Sequence, residues 1–232
     1  DGDTVSIRAR LVVGADGKDN NTGAAYVYRQ NGTVWNMLTE LSPSDIATGS
    51  HFGRSVAISS ETIVVGADGR DNDTGAVYVY TYNGNTWNLQ AEIYAGDATA
   101  GDHFGWSVAI GDDTIVVGAN GEDTTKGATY IFTRNGTSWK QQAKLKIHSS
   151  YAAENDYFGG SVAINADTTV AGAIGMFNIN CGGAEVYLLT DHAWNGQARL
   201  NDREGYAEND RYGTSVAVNG ETIVVGAPGR NS

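Results

Sequence analysis

Phe52-Gly53-Arg54-Ser55-Val56-Ala57-Ile58, then Thr62-Ile63-Val64-Val65-Gly66-Ala67 after a short turn, is the stretch whose reading decides the fold. The same text returns along the chain. Phe104-Gly105, Phe158-Gly159 and Tyr212-Gly213 each open a copy, followed one variable residue later by Ser-Val-Ala. Val-Val-Gly-Ala stands at residues 12–15, 64–67, 116–119 and 224–227, with Val-Ala-Gly-Ala at 170–173. Trp35, Trp87, Trp139 and Trp194 form a third anchor with the same period of roughly 50 residues.

Within one period, residues 55–58 and 62–67 read as short apolar strands joined by a tight turn. Residues 68–75 are an Asp/Asn/Gly loop, 76–82 an alternating aromatic strand, Asn83-Gly84 a hairpin turn and 86–93 a fourth strand. Four antiparallel strands per period make a propeller blade, whereas solenoid repeats are shorter and carry one strand or a helix pair. WD-type blades are excluded by length and by the missing Trp-Asp. Kelch blades are excluded because their paired glycines followed by spaced aromatics are absent. Composition agrees: 31 Gly against 2 Pro, with abundant Val, Ile, Thr and Tyr, favours short strands and turns, and 41% hydrophobic residues suffice for a core. The expected fold is an all-β propeller of four-stranded antiparallel blades, four of them plus part of a fifth.

The repeats fall at about 1–51, 52–103, 104–157 and 158–211, with a partial one at 212–232. A propeller closes its ring to remove free edges, yet both ends of this chain hold a Val-Val-Gly-Ala strand. A segment of a larger ring, or an assembly with further blades or chains, is therefore expected, with compact four- or five-bladed closure as the alternative.

The succession Phe-Gly-x-Ser-Val-Ala, Val-Val-Gly-Ala and Gly-Ala-x-Tyr-Val-Tyr resembles the FG-GAP repeat of integrin α-subunit propellers and of many secreted microbial and algal proteins. The resemblance covers nearly the whole chain. It implies an extracellular or cell-surface module that recognises a protein or glycan ligand and is not an enzyme. The alternatives are an accessory propeller of a larger secreted enzyme, or a structural unit of an extracellular assembly.

In integrin members, calcium sits in a long loop between the first two strands, with a pattern like D-x-[DN]-x-D-G-x-x-D. The matching segments here, such as Ser59-Ser60-Glu61 and Gly111-Asp112-Asp113, are hairpins too short to encircle an ion, so that site is not carried over. No cofactor is expected. Calcium at Asp68, Asp71 and Asp73, after the second Val-Val-Gly-Ala, is the alternative to reading those residues as turn formers.

Other chemistry is disfavoured. A net charge of −12 makes nucleic acid and anionic membrane poor partners, and no apolar run approaches the ~18 residues of a membrane span. The single Cys181 can form no internal disulfide. Gly105-Trp106-Ser107 faintly resembles a nucleophile elbow, but the same Gly-x-Ser-Val-Ala stands in every copy, which a unique nucleophile would not do. Ser55, Ser107, Ser161 and Ser215 are read as structural, and His51, His103, His148 and His192 as loop histidines. Asn20, Asn31, Asn72 and Asn135 lie in sequons that would accept N-glycans in a eukaryotic secretory route, though turn chemistry alone would generate three of them.

Function is expected where packing leaves residues free to differ. In a propeller the 2-3 and 4-1 loops share one face and the 1-2 and 3-4 turns the other; here the first set is long and variable. The slot after Phe-Gly holds Arg54, Trp106, Gly160 and Thr214, and the fourth 2-3 loop carries Met176 and Phe177 in place of acidic residues. Arg54, Trp106, Met176 and Phe177 are the candidate ligand- or partner-binding residues, with the fourth loop packing on a neighbouring blade as the other reading.

Overall fold

A computed structural model describes residues 9–147, 152–176, 181–201 and 208–229. The described chain is a row of antiparallel sheets, one per repeat. The first holds β1 (Arg10–Ala15), β2 (Ala24–Asn31) and β3 (Val34–Leu41). The second holds β4 (Val56–Ser59), β5 (Thr62–Ala67), β6 (Ala76–Tyr82) and β7 (Trp87–Ile93). The third holds β8 (Phe104–Gly111), β9 (Thr114–Ala119), β10 (Ala128–Asn135) and β11 (Ser138–Leu145). The fourth holds β12 (Ser161–Asn165), β13 (Thr168–Ala173), β14 (Gly183–Thr190) and β15 (Ala193–Leu200), and β16 (Ser215–Asn219) pairs with β17 (Thr222–Gly226). The strands follow the sequence expectation to within a residue, and among the described residues the row is not closed into a ring.

The second strand of each blade reads as an unbroken apolar run because both of its faces are covered. Every residue of β5 is buried. Its alternate side chains serve different seams: Ile63, Val65 and Ala67 pack with Val12, Val27 and Leu41 of repeat 1, while Val64 packs with Phe104, Ile115 and Val117 of repeat 3. Period-two alternation thus turns one strand into the wall of two cores. On β1, by contrast, only Val12 is buried, and Leu11 and Val13 lie exposed on the other face.

Phe-Gly is where one blade grips the next. Phe52, Phe104 and Phe158 are fully buried against aromatic rings of the third strand; Phe52 and Phe104 stand edge-on, Phe104 5.4 Å from Tyr130 at 74°, and Phe158 is tilted at 57° to Tyr187. Tyr212 is only half-buried. The backbone before each motif runs beside the previous repeat's 2-3 loop, so that His103 N and Phe104 N donate to Asp73 O and Thr74 O at 2.7 and 3.1 Å. The glycine of Val-Val-Gly-Ala admits still closer approach. A Cβ on Gly66 would lie 2.0 Å from Gly105 O. The serine of Ser-Val-Ala completes the seam, since Ser55, Ser107 and Ser161 each donate Oγ to the carbonyl of the next repeat's Phe-Gly glycine at 2.8 Å. These hydroxyls are spent on structure.

The tryptophans that open the fourth strands also cross seams. Trp139 Nε1 donates to Gln90 Oε1 at 3.2 Å and Trp194 Nε1 to Gln142 Oε1 at 3.0 Å, each in the preceding repeat. In repeat 1 the position of those glutamines is held by Leu38, and Trp87 Nε1 is buried without a partner.

Candidate recognition face

The 2-3 loops meet the 4-1 loops on one face, as the bond from Gly121 N to Asp102 O at 3.1 Å records. In the first three repeats the 2-3 loop contains a short left-handed turn: Asp19, Asn20 and Asn21, then Asp71, Asn72 and Asp73, then Asp123, Thr124 and Thr125 all have φ between 50° and 64°. Only glycine adopts that region freely, and Asp and Asn tolerate it best among the rest, which accounts for the composition of the first two loops; Thr124 and Thr125 hold it in the third against their β-branched preference. Flanking bonds hold the turn. Gly75 N donates to Arg70 O at 2.9 Å and Thr74 Oγ1 to Asp71 O at 2.8 Å.

Each of these loops is fixed outward by an opposite charge on the fourth strand. Lys18 bonds Glu40, and Arg70 reaches Glu92 at 3.1 Å and, in the preceding 4-1 loop, Asp45 at 2.7 Å. Repeat 3 reverses the polarity: Lys144 on β11 meets Glu122 at 2.6 Å and Asp97 at 2.5 Å, and Tyr130 donates to Asp97 at 2.9 Å. Burial pulls the Asp97 carboxyl upward, but Lys144 and Tyr130 more than reverse this and hold it below the usual carboxylate range. A polar hollow of about 520 Å³ opens here, between Asp45, Ser50, Arg70, Asp71, Asn72 and Asp73.

Nearer the start of the inner strands, Arg54 and Trp106 come together. The Arg54 guanidinium lies 3.9 Å from the centroid of the Trp106 ring, and the same group reaches Asp16 at 3.3 Å. His103 stands edge-on to Trp106 at 5.9 Å. Two residues that occupy the same slot in successive repeats thus form a cation–aromatic pair across the seam. Alignment of the repeats signals this, because equal slots in adjacent blades are neighbours.

Met176 is not on the surface. It is fully buried with Leu145, Ile147 and Phe158 in the core between repeats 3 and 4, so of the two readings of the fourth loop, packing on a neighbouring blade holds for this residue. Its sulfur lies where a Cβ on Gly183 would come within 2.8 Å, and the other repeats carry Ala24, Ala76 and Ala128 at that strand position. Phe177 lies outside the described residues.

Asp68 is buried beside His103, Asp71 reaches Arg70 at 3.5 Å, and Asp73 is exposed. Among the described residues no three His, Cys, Asp or Glu side chains are placed to hold a metal ion. On the opposite face a hollow of about 650 Å³ lies between repeats 2 and 3, lined by Glu61, Tyr82, Asp112, Asp113 and Arg134. Arg134 is committed to structure there, bonding Thr62 Oγ1 at 2.7 Å and Asp113 at 2.9 Å.

The model of the FG-GAP repeat matches residues 35–80, 87–132, 139–188 and 194–232, most of the chain. The chain belongs to the FG-GAP repeat family. Among curated proteins it is similar to integrin alpha-4 of Xenopus laevis, 26% identical over 168 residues, 66% of this chain and 16% of that protein. It is likewise similar to integrin alpha-X of Homo sapiens, 26% identical over 186 residues, 72% of this chain and 16% of that protein. The chain thus spans 16% of the length of each of these relatives. No helix among the described residues is long and apolar enough to cross a membrane.

Proposed function

We propose that this FG-GAP chain is a non-catalytic, extracellular or cell-surface recognition module that binds a protein ligand through its 2-3/4-1 face, centred on Arg54 and Trp106. The observation that carries this reading is that pair. Arg54 and Trp106 fill the slot of the Phe-Gly-x-Ser-Val-Ala motif that varies between repeats, and a large aromatic beside a guanidinium is the composition of a recognition hot spot. Membership in the FG-GAP family and similarity to integrin alpha subunits support an extracellular interaction module.

A peptide library displayed on phage, selected against the immobilised chain, supplies the test. Trp106→Ala and Arg54→Ala are expected to weaken selected binders by about 30-fold each, the scale of a hot-spot residue. The paired change Asn83→Ala and Asn135→Ala, on the opposite turns, is expected to leave them unaffected. Binders lost through the opposite-face pair but retained by folded Trp106→Ala would place recognition on the other face. Selection of soluble oligosaccharides and not peptides would replace the protein ligand with a glycan.

A further inference from the structure

Asp-His pairs tie the 2-3 loop of one repeat to the strap that enters the next, and they change along the row. Asp16 lies 3.9 Å from His51, and Asp68 lies 3.4 Å from His103. The same two positions hold Asn120 and Tyr157 at the third seam and Ile174 and Arg211 at the fourth. The two His seams differ in burial: the Asp16 side chain is 38% exposed and shared with Arg54, whereas that of Asp68 is 6% exposed. Asp68 Oδ1 is buried with no hydrogen-bond partner, leaving His103 as the group that can compensate its charge.

We propose that the Asp68–His103 tie is a proton-operated latch on the Trp106 platform, engaged when His103 is charged and slackened when it is neutral. The inference rests on the reading of Trp106 as the recognition residue. The connection is short: Trp106 N donates to His103 O at 3.0 Å, and the two rings stand edge to face. His103 itself holds a left-handed backbone, φ 56°, as do His51, Tyr157 and Arg211 at the same position of the other seams. The charged groups that face it are Asp68 and Asp73, which favour the imidazolium, and Arg54, which opposes it. From repeat 3 the Trp106 ring and the backbone of Gly121 pack on the imidazole; a Cβ on Gly121 would come within 2.9 Å of Cδ2.

The Asp68 carboxylate 3.4 Å away outweighs burial and raises His103 above its ordinary value. The stabilisation is therefore fully present below about pH 6.5 and is lost as pH rises through the raised value. Binding at Trp106 is expected to be tighter on the acidic side.

The test is a titration of the free protein between about pH 5 and 8, following the His103 ring by NMR and the Trp106 contribution to fluorescence as the difference between the parent and Trp106→Phe. The expected result is one shared midpoint above about 6.5, lowered for both signals in Asp68→Asn and unchanged in His51→Gln. A Trp106 signal that stays flat while His103 titrates, or that persists in His103→Gln, overturns the latch. If Asp68→Asn does not fold, His103→Gln with a native amide spectrum decides alone: loss of the response supports the latch and retention refutes it. No ligand is involved, so the latch and recognition by Trp106 can fail separately.

Discussion

Repeats 3 and 4 close the same loop with opposite chemistry. In repeat 3 the loop is polar, a left-handed turn whose Glu122 is 11% exposed at the side chain and holds Lys144 and Lys146 at 2.6 and 2.9 Å. In repeat 4 the loop is one residue longer between its glycines, and Met176 turns into the core over Gly183. The charge that remains has moved into the sheet, where Arg199 on β15 meets Glu185 on β14 at 2.5 Å. The serine-to-glycine bond at the seam beneath is the same in both, 2.8 Å. What the pair teaches is that a blade constrains its Phe-Gly seam tightly and its 2-3 loop only by the requirement that charge be paired or apolar surface be covered.

The largest effect should come from breaking the apolar solution. Met176→Ala leaves a cavity against Phe158 and Leu145 and is expected to cost about 2–5 kcal/mol by denaturant melting. A loss below about 1 kcal/mol would mean that the surrounding loop, and not Met176, covers that core. The polar solution should be softer. Glu122→Gln removes the charge facing two lysines but leaves Lys144 with Asp97, so about 1–2 kcal/mol is expected, and less in high salt. A cost equal to that of Met176→Ala would remove the contrast between the two loops.

The smallest effect extends the comparison to the outer strands. Repeats 3 and 4 give their tryptophan a glutamine partner across the seam, and repeat 2 does not. Leu38→Gln should supply Trp87 with the missing acceptor and stabilise the chain by about 1 kcal/mol. Destabilisation would show that the side chain of Leu38, 38% exposed, contributes more by packing than the new bond returns.

The seams were legible in the sequence and the face only partly. Phe-Gly, Ser-Val-Ala and Val-Val-Gly-Ala recur because each residue meets the same neighbour in every seam, so repetition alone revealed the strands and the structural serines. Met176 was read among binding residues because an apolar loop resembles an exposed patch. The discriminating signal was Gly183, which stands where three repeats have alanine and makes room for the sulfur. The left-handed turns were hidden, since Asp, Asn and Gly mark many loop conformations alike. In the sequence His51 and His103 look like ordinary loop residues because their partners, Asp16 and Asp68, lie far off and come close only when one repeat docks on the next.

The bond from each serine hydroxyl to the glycine carbonyl of the following repeat has a consequence for how such a chain can change over time. A seam built from a hydroxyl, a missing side chain and main-chain atoms makes no demand on the identity of the residues beside it. That part of the seam can therefore be shared by any two repeats, whatever side chains pack around it. A duplicated, deleted or transplanted unit would meet a familiar edge on both sides, with stability approximating a sum over units and their nearest-neighbour contacts. The slot after Phe-Gly travels with its unit, so recombination among repeats would reshuffle Arg54- and Trp106-like positions as interchangeable cassettes on an unchanged frame.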